Sequence, residues 1–209
     1  IKRMSTSEYR TQRRGGVGIS AHKTKEEDFV ENIFVSNTHD DLLFFTSRGK
    51  VYCIKAYEVP EAQRQAKGRA IINLLQLDAD EKVTAIIRRR DEDKDGCLVM
   101  ATRLGLIKKT ELKEFESIRK VGKIAIRLVE GDELIGVGMT GGNNDILIAT
   151  HDGKCIRFNE SDVRVMGRDT QGVRSIKLAK DDYVVDMAVI TEGNQIITIS
   201  ENGYGKRSD

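Results

Sequence analysis

At 209 residues the chain is long enough to bury a core within one domain. Its 35 basic and 33 acidic residues leave a formal charge of only +2, so a basic surface must come from placement, not from excess. The absence of tryptophan and a 5% aromatic content argue against a stacking platform for single-stranded nucleic acid, and the lack of a long apolar run or signal-peptide pattern argues against a membrane or secreted protein.

The first 25 residues are the most basic part, with Lys2, Arg3, Arg10, Arg13, Arg14, Lys23 and Lys25 against Glu8 alone. Within them lies Gln12-Arg13-Arg14-Gly15-Gly16-Val17-Gly18. Glycines let a backbone come close to a phosphate, while the two guanidinium groups offer forked donors. An acidic turn, Glu26-Glu27-Asp28, then precedes Phe29.

From Leu42 onward a pattern repeats. Short apolar runs end at Gly49, Gly105, Gly153 and Gly203, which stand 56, 48 and 50 residues apart. A second glycine follows the first three at 19, 17 and 19 residues: Gly68, Gly122 and Gly172. Then come alternating pairs (Ile72 and Leu74, Ile126 and Leu128, Ile176 and Leu178), an acidic turn, and a further apolar run from Val83, Leu134 and Val184. The acidic turns are Asp80-Glu81, Asp132-Glu133 and Asp181-Asp182. Strands of this length, rich in Ile, Val and Leu and bounded by turn residues, read as β. Four strands in about 50 residues is the size of a propeller blade. The expectation is an all-β fold of four-stranded antiparallel blades: one domain over residues 1–209 holding three complete blades and two halves, with further protein beyond one or both ends.

Charge follows the repeat. The loop around each second glycine is basic: Arg64, Lys67 and Arg69; Arg119, Lys120 and Lys123; Arg168 and Arg174. So is the strand after each first glycine, with Lys50 and Lys55, Lys108 and Lys109, Lys154 and Arg157, and Lys206 and Arg207. Equivalent positions in successive blades line up, so these residues predict a basic stripe that contacts DNA phosphates. Aligned on Gly18, the glycine-rich heptad falls at the same loop position, with Arg14 matching Arg64 and Arg168.

Other signals are structural. Gly136-Val-Gly-Met-Thr-Gly141 formally fits a dinucleotide fingerprint, but Gly142-Asn143-Asn144 and a β run follow where a helix is needed. Cys53, Cys97 and Cys155 are isolated within apolar stretches and read as buried thiols. His22, His39 and His151 stand apart, and no catalytic or metal-ligating set is present.

The heptad resembles the GyrA box of DNA gyrase A subunits, usually QRRGGKG or QRRGGRG. Residues 26–29, Asn37-Thr38-His39-Asp40, Arg69 to Leu75, Gly131 to Gly136 and Asn202 to Arg207 resemble the same family. The resemblance implies a six-bladed β-pinwheel, in which neighbouring blades exchange a strand and DNA wraps around the outer edge, with about two blades outside this chain. It implies DNA contact by Gln12, Arg13, Arg14, Gly15, Gly16, Val17 and Gly18 as well as by the stripe. Val17 departs from the family by replacing a cation. The partners it implies are double-stranded DNA, the remainder of the gyrase A subunit, plus the B subunit of a heterotetramer. No membrane is implied, and the setting is the bacterial cytoplasm at the nucleoid. The domain itself would use no cofactor and perform no catalysis. ATP, magnesium and the DNA-cleaving tyrosine would belong to other parts of an ATP-dependent type II topoisomerase that introduces negative supercoils. Two alternatives are the corresponding domain of a topoisomerase IV and a protein-interaction propeller.

Overall fold

The computed structural model describes residues 1–9, 11–18, 20, 29–90, 92–93, 95–193 and 195–208. Among these there are thirteen strands and five 3-10 turns, and no α-helix. The strands are β1 (Asp41–Thr46), β2 (Lys50–Lys55), β3 (Val83–Arg89), β4 (Cys97–Thr102), β5 (Leu106–Glu111), β6 (Lys123–Ile124), β7 (Leu134–Thr140), β8 (Asp145–Thr150), β9 (Cys155–Asn159), β10 (Val173–Arg174), β11 (Val184–Ile190), β12 (Ile196–Ile199) and β13 (Gly205–Ser208).

Each glycine-ended run forms the first strand of an antiparallel hairpin, β1–β2, β4–β5, β8–β9 and β12–β13. The run after the acidic turn returns to pair with the first strand of its own hairpin, giving β1–β3, β4–β7 and β8–β11. Each of those three pairings has a register shift at the end nearest the acidic turn, which twists the inner strand. The fourth strand comes from the next repeat. β6 pairs with β2 and β10 pairs with β5, so the sheet orders are β3-β1-β2-β6 and β10-β5-β4-β7. The third sheet has order β11-β8-β9. Repeat and blade are therefore offset by one strand.

Sequence alternation misjudges that exchanged strand. It is two residues long, and the Ile and Leu pair after it leaves the sheet. The N–H groups of Ala125 and Ile126 both donate to Gly49 O, at 2.8 and 3.1 Å, as the chain crosses the glycine turn of the preceding blade. Gly49 has φ +71°, and a Cβ there would stand 2.6 Å from Ile126 O, so conformation and space both require glycine. In the first repeat the corresponding segment is a 3-10 turn, Ile71–Asn73.

Side chains fill the gaps between successive sheets. Leu43, Phe45 and Val51 pack with Leu98, Met100 and Phe115, while Val99 and Ile107 pack with Ile146 and Ile148. The central strands β1 and β4 are thus buried on both faces, and their runs Leu42 to Phe45 and Leu98 to Ala101 are continuously apolar. Each fully buried Leu or Phe is worth roughly 1.5–3 kcal/mol. The inner strands β3, β7 and β11 pack on one another in series, leaving β6 and β10 on the outer edge. No helix among the described residues is long and apolar enough to cross a membrane.

Candidate nucleic-acid interface

The outer edge is built from the segments leading into β6 and β10, together with the equivalent segment 61–70. In these segments Lys67, Arg69, Arg119, Lys120 and Arg174 are exposed, while Arg64, Lys123 and Arg168 are half-buried. Lys123 Nζ donates to Glu116 O at 2.8 Å, and the Arg168 guanidinium donates to Ile124 O, tying each loop to its neighbourhood.

Arg14, Arg64 and Arg168 each take the first of two turn residues, so the alignment on the second glycine holds in space. The Gln12 to Gly18 segment is exposed throughout, and Gly16 N–H donates to Arg13 O at 2.9 Å. Ala66 N–H donates to Gln63 O at the same distance in the matching turn. Gly15 has φ +84°, and a Cβ on Gly16 would stand 3.1 Å from Arg13 O. The two glycines thus close a turn flanked by Arg13 and Arg14. Val17 is 90% exposed, leaving an apolar side chain in water beside the two arginines. Arg10, His22, Lys23, Lys25 and the Glu26-Glu27-Asp28 turn lie outside the described residues.

Two of the expected contacts are misplaced. Lys108 and Lys109 are buried, at 0% and 8% exposure, and neither can meet a phosphate. Lys108 Nζ donates to Ala125 O at 2.6 Å and to Arg168 O, while Lys109 Nζ donates to Glu160 O at 2.7 Å and stands 3.7 Å from its carboxylate. Both join one blade to the next. Burial, then the nearby Arg168 guanidinium, lowers the Lys108 ammonium pKa to about 8.

Two strand cations on other hairpins have partners too. Lys50 pairs with Asp78 at 2.5 Å and Arg157 with Asp145 at 2.7 Å, both pairs partly in solvent. Lys206 and Arg207 are exposed on β13. Three exposed cations outside the expected set lie close by in the chain, Arg164 before β10 and Arg127 and Lys177 just after β6 and β10. Arg127 and Lys177 both stand five residues after the second glycine, a recurrence visible in the sequence; Arg127 pairs with Asp169 at 3.3 Å.

Each acidic turn exposes one of its two acids (Asp80, Glu133 or Asp181) and withdraws the other. Glu81, Asp132 and Asp182 are buried and bind their own turns. Glu81 accepts from Thr46 Oγ1 at 2.5 Å and Tyr52 OH at 3.1 Å, while Asp132 and Asp182 accept backbone N–H groups of Leu104 and Asp152. Burial and then Glu81 push the Tyr52 phenol up to about 12.

No catalytic constellation competes with this reading among the described residues. His151 stacks on Tyr183 at 4.8 Å, and the Arg103 guanidinium lies over the same ring at 3.8 Å, a contact between blades. Cys53 is half-buried, with its thiol pushed up to about 11 by burial and then Asp41, whereas Cys155 is exposed, contrary to the expectation of three buried thiols. Among the described residues no group of three or more His, Cys, Asp or Glu could hold a metal.

The profile of the family described as DNA gyrase C-terminal domain, beta-propeller, matches residues 1–37, 40–88, 98–140, 144–191 and 194–209, five pieces that follow the repeat. The chain belongs to this gyrase family. Over 208 residues it is 49% identical to the DNA gyrase A subunit of Escherichia coli (strain K12), a match that covers 100% of this chain and 24% of that protein. It thus spans about a quarter of the relatives it matches. A solved DNA gyrase A C-terminal domain superposes with TM-score 0.70 at 31% identity, covering 99% of this chain and 67% of that one. The C-terminal domain of DNA topoisomerase IV gives TM-score 0.76 at 32% identity, covering 82% of this chain and 54% of that one. This chain superposes on both domains, so fold similarity does not separate the two.

Proposed function

We propose that this gyrase domain binds duplex DNA along its outer edge and wraps it, supporting negative supercoiling by an enzyme assembled from the remainder of the A subunit together with the B subunit. One observation carries the reading: the basic loops of successive repeats lie on the outermost strands, while one acid of each alternating turn (Glu81, Asp132 and Asp182) is buried. Curving a 20–30 base-pair site by 40–90° costs roughly 1–6 kcal/mol, so a single loop cannot hold a wrap. A series of loops can, since each neutralised phosphate adds about 0.9 to the log–log salt slope. Among the described residues no helix or long ribbon is available to enter a groove, so binding is independent of sequence. Strand cleavage, ATP and magnesium belong to other parts of the enzyme, which works in the cytoplasm at the nucleoid.

The exposed Gln12 to Gly18 turn holds the end of the bent duplex, where recoil is greatest. The test is topological: nicked circles are ligated with the intact enzyme bound and the linking-number shift is read. Arg13→Ala with Arg14→Ala abolishes the shift while linear-DNA binding persists. A double mutant with the wild-type shift removes the turn from the mechanism. Val17→Lys leaves the shift equal or larger.

A further inference from the structure

Lys108 does for one loop what Lys2 does for another. Lys2 Nζ donates to the carbonyls of Gln63, Arg64 and Ala66 at 3.0, 2.5 and 3.0 Å. Lys108 Nζ donates to Arg168 O and lies 3.5 Å from Thr170 O. Arg64 and Ala66 stand four and two residues before Gly68, and Arg168 and Thr170 stand four and two before Gly172. The glycines confirm the match, since a Cβ on Gly68 would lie 3.3 Å from Lys2 Cβ and one on Gly172 would lie 3.2 Å from Lys108 Cβ. At the intervening junction Gly122 lies over the Tyr52 ring, whose hydroxyl turns to Glu81. That loop is two residues shorter, its turn is shifted to Lys120 and Val121, and a cavity of about 220 Å³ opens between Tyr52 and Lys120.

The pinned carbonyls orient the rest of the loop. Every peptide bond here is trans, so a carbonyl aimed at the buried ammonium turns the next N–H the opposite way. The residues concerned alternate accordingly: Arg64, Ala66, Arg168 and Thr170 are half-buried, while Gln65, Lys67, Asp169 and Gln171 are exposed. The N–H groups of those four exposed residues make no hydrogen bond to a described residue. Alternate peptide N–H groups turned outward beside guanidinium and ammonium side chains are donors for an anionic oxygen.

We infer that Lys2 and Lys108 are positioning residues for DNA phosphates: each gathers the carbonyls of the next blade's basic loop inward, leaving its alternate peptide N–H groups and its cations facing the duplex. This rests on the DNA-binding reading above. Neither ammonium touches the phosphate itself; Asp169, the one acid in the pinned turns, is paired with Arg127.

The test uses the full-length chain and linear duplex DNA, with affinity measured against salt. Lys108→Met removes the donors at nearly constant volume and lowers the slope by about 1.8, the share of the two displaced cations Arg168 and Arg174. Changing both arginines to Ala in that background then costs nothing further, and Lys108→Arg restores part of the slope. Tyr52→Phe, which unties an equally buried side chain, leaves the slope as in wild type and so separates positioning from general loosening. An unchanged slope in Lys108→Met, or losses that simply add, overturns the inference. If Lys108→Met does not fold, amide exchange on the wild type decides: DNA slows exchange at Gln65, Lys67, Asp169 and Gln171, and no change at those four sites overturns it. A wild-type chain with no salt-dependent affinity at all refutes the DNA reading instead.

Discussion

Arg119→Ala with Lys120→Ala tests the outer edge where its cations are freest. Both side chains are exposed, neither makes an ion pair with a described residue, and their loop has no lysine from the neighbouring blade beneath it. Removing them leaves the fold in place, because exposed substitutions of this kind stay within about 0.5 kcal/mol. If each contacts one phosphate, the log–log slope falls by about 1.8. The wild type's advantage then shrinks roughly 12-fold between about 50 mM and 200 mM salt, on every duplex alike. Fluorescence anisotropy on two duplexes of unrelated sequence measures this directly. An advantage that does not change with salt, or one confined to a single duplex, refutes the phosphate-stripe argument.

Three further outcomes follow from burial. Lys109→Met removes the cation from the Glu160 carboxylate, which is 1% exposed and keeps only the N–H groups of Gly142 and Asn144, and costs about 3 kcal/mol in a denaturant melt, whereas adding Glu160→Gln recovers much of the loss. Gly138→Ala places a methyl 2.5 Å from Val189 Cγ2 between inner strands β7 and β11, and the overpacking lowers stability by roughly 1–3 kcal/mol, read as a fall in Tm. Asp41 is partly buried, which opposes ionisation, but Lys55 at 2.8 Å and Arg89 at 2.5 Å outweigh this and hold its pKa below 3.8. A depressed carboxyl pKa stabilises above the unfolded value and loses that contribution as pH falls through the folded one. Asp41→Asn is therefore less stable at neutral pH, and the gap to wild type closes below about pH 4 in thermal melts.

Much of this architecture was legible because glycine marks positions where conformation and crowding coincide. The spacing of Gly49, Gly105, Gly153 and Gly203 located every hairpin, and the runs from Val83, Leu134 and Val184 located the inner strands. The exchanged strand was harder: Lys123-Ile124 is too short to carry a period, and its partner Lys50-Val51 lies some 70 residues earlier. The lysines misled for a different reason. In Leu106-Ile-Lys-Lys-Thr-Glu111 polar residues read as a solvated face, yet a sheet stacked between two others has no such face. What makes Lys108 and Lys109 tolerable inside is a set of acceptors at residues 125, 160, 168 and 170, all contributed by later chain. In the same way Glu81, Asp132 and Asp182 look like surface acids in sequence and serve as internal fasteners in space.

The one-strand offset between repeat and blade also governs synthesis and evolution. The sheet begun at Asp41 is incomplete until Ile124 is available, and the one begun at Cys97 waits for Arg174. A nascent chain therefore always carries one open sheet edge while it grows, and each new segment closes the blade made before it. Excising a single repeat removes one hairpin, but it also takes away the neighbour's closing strand. Blade number in such a protein can change only where the incoming segment supplies a closing strand that the preceding hairpin accepts.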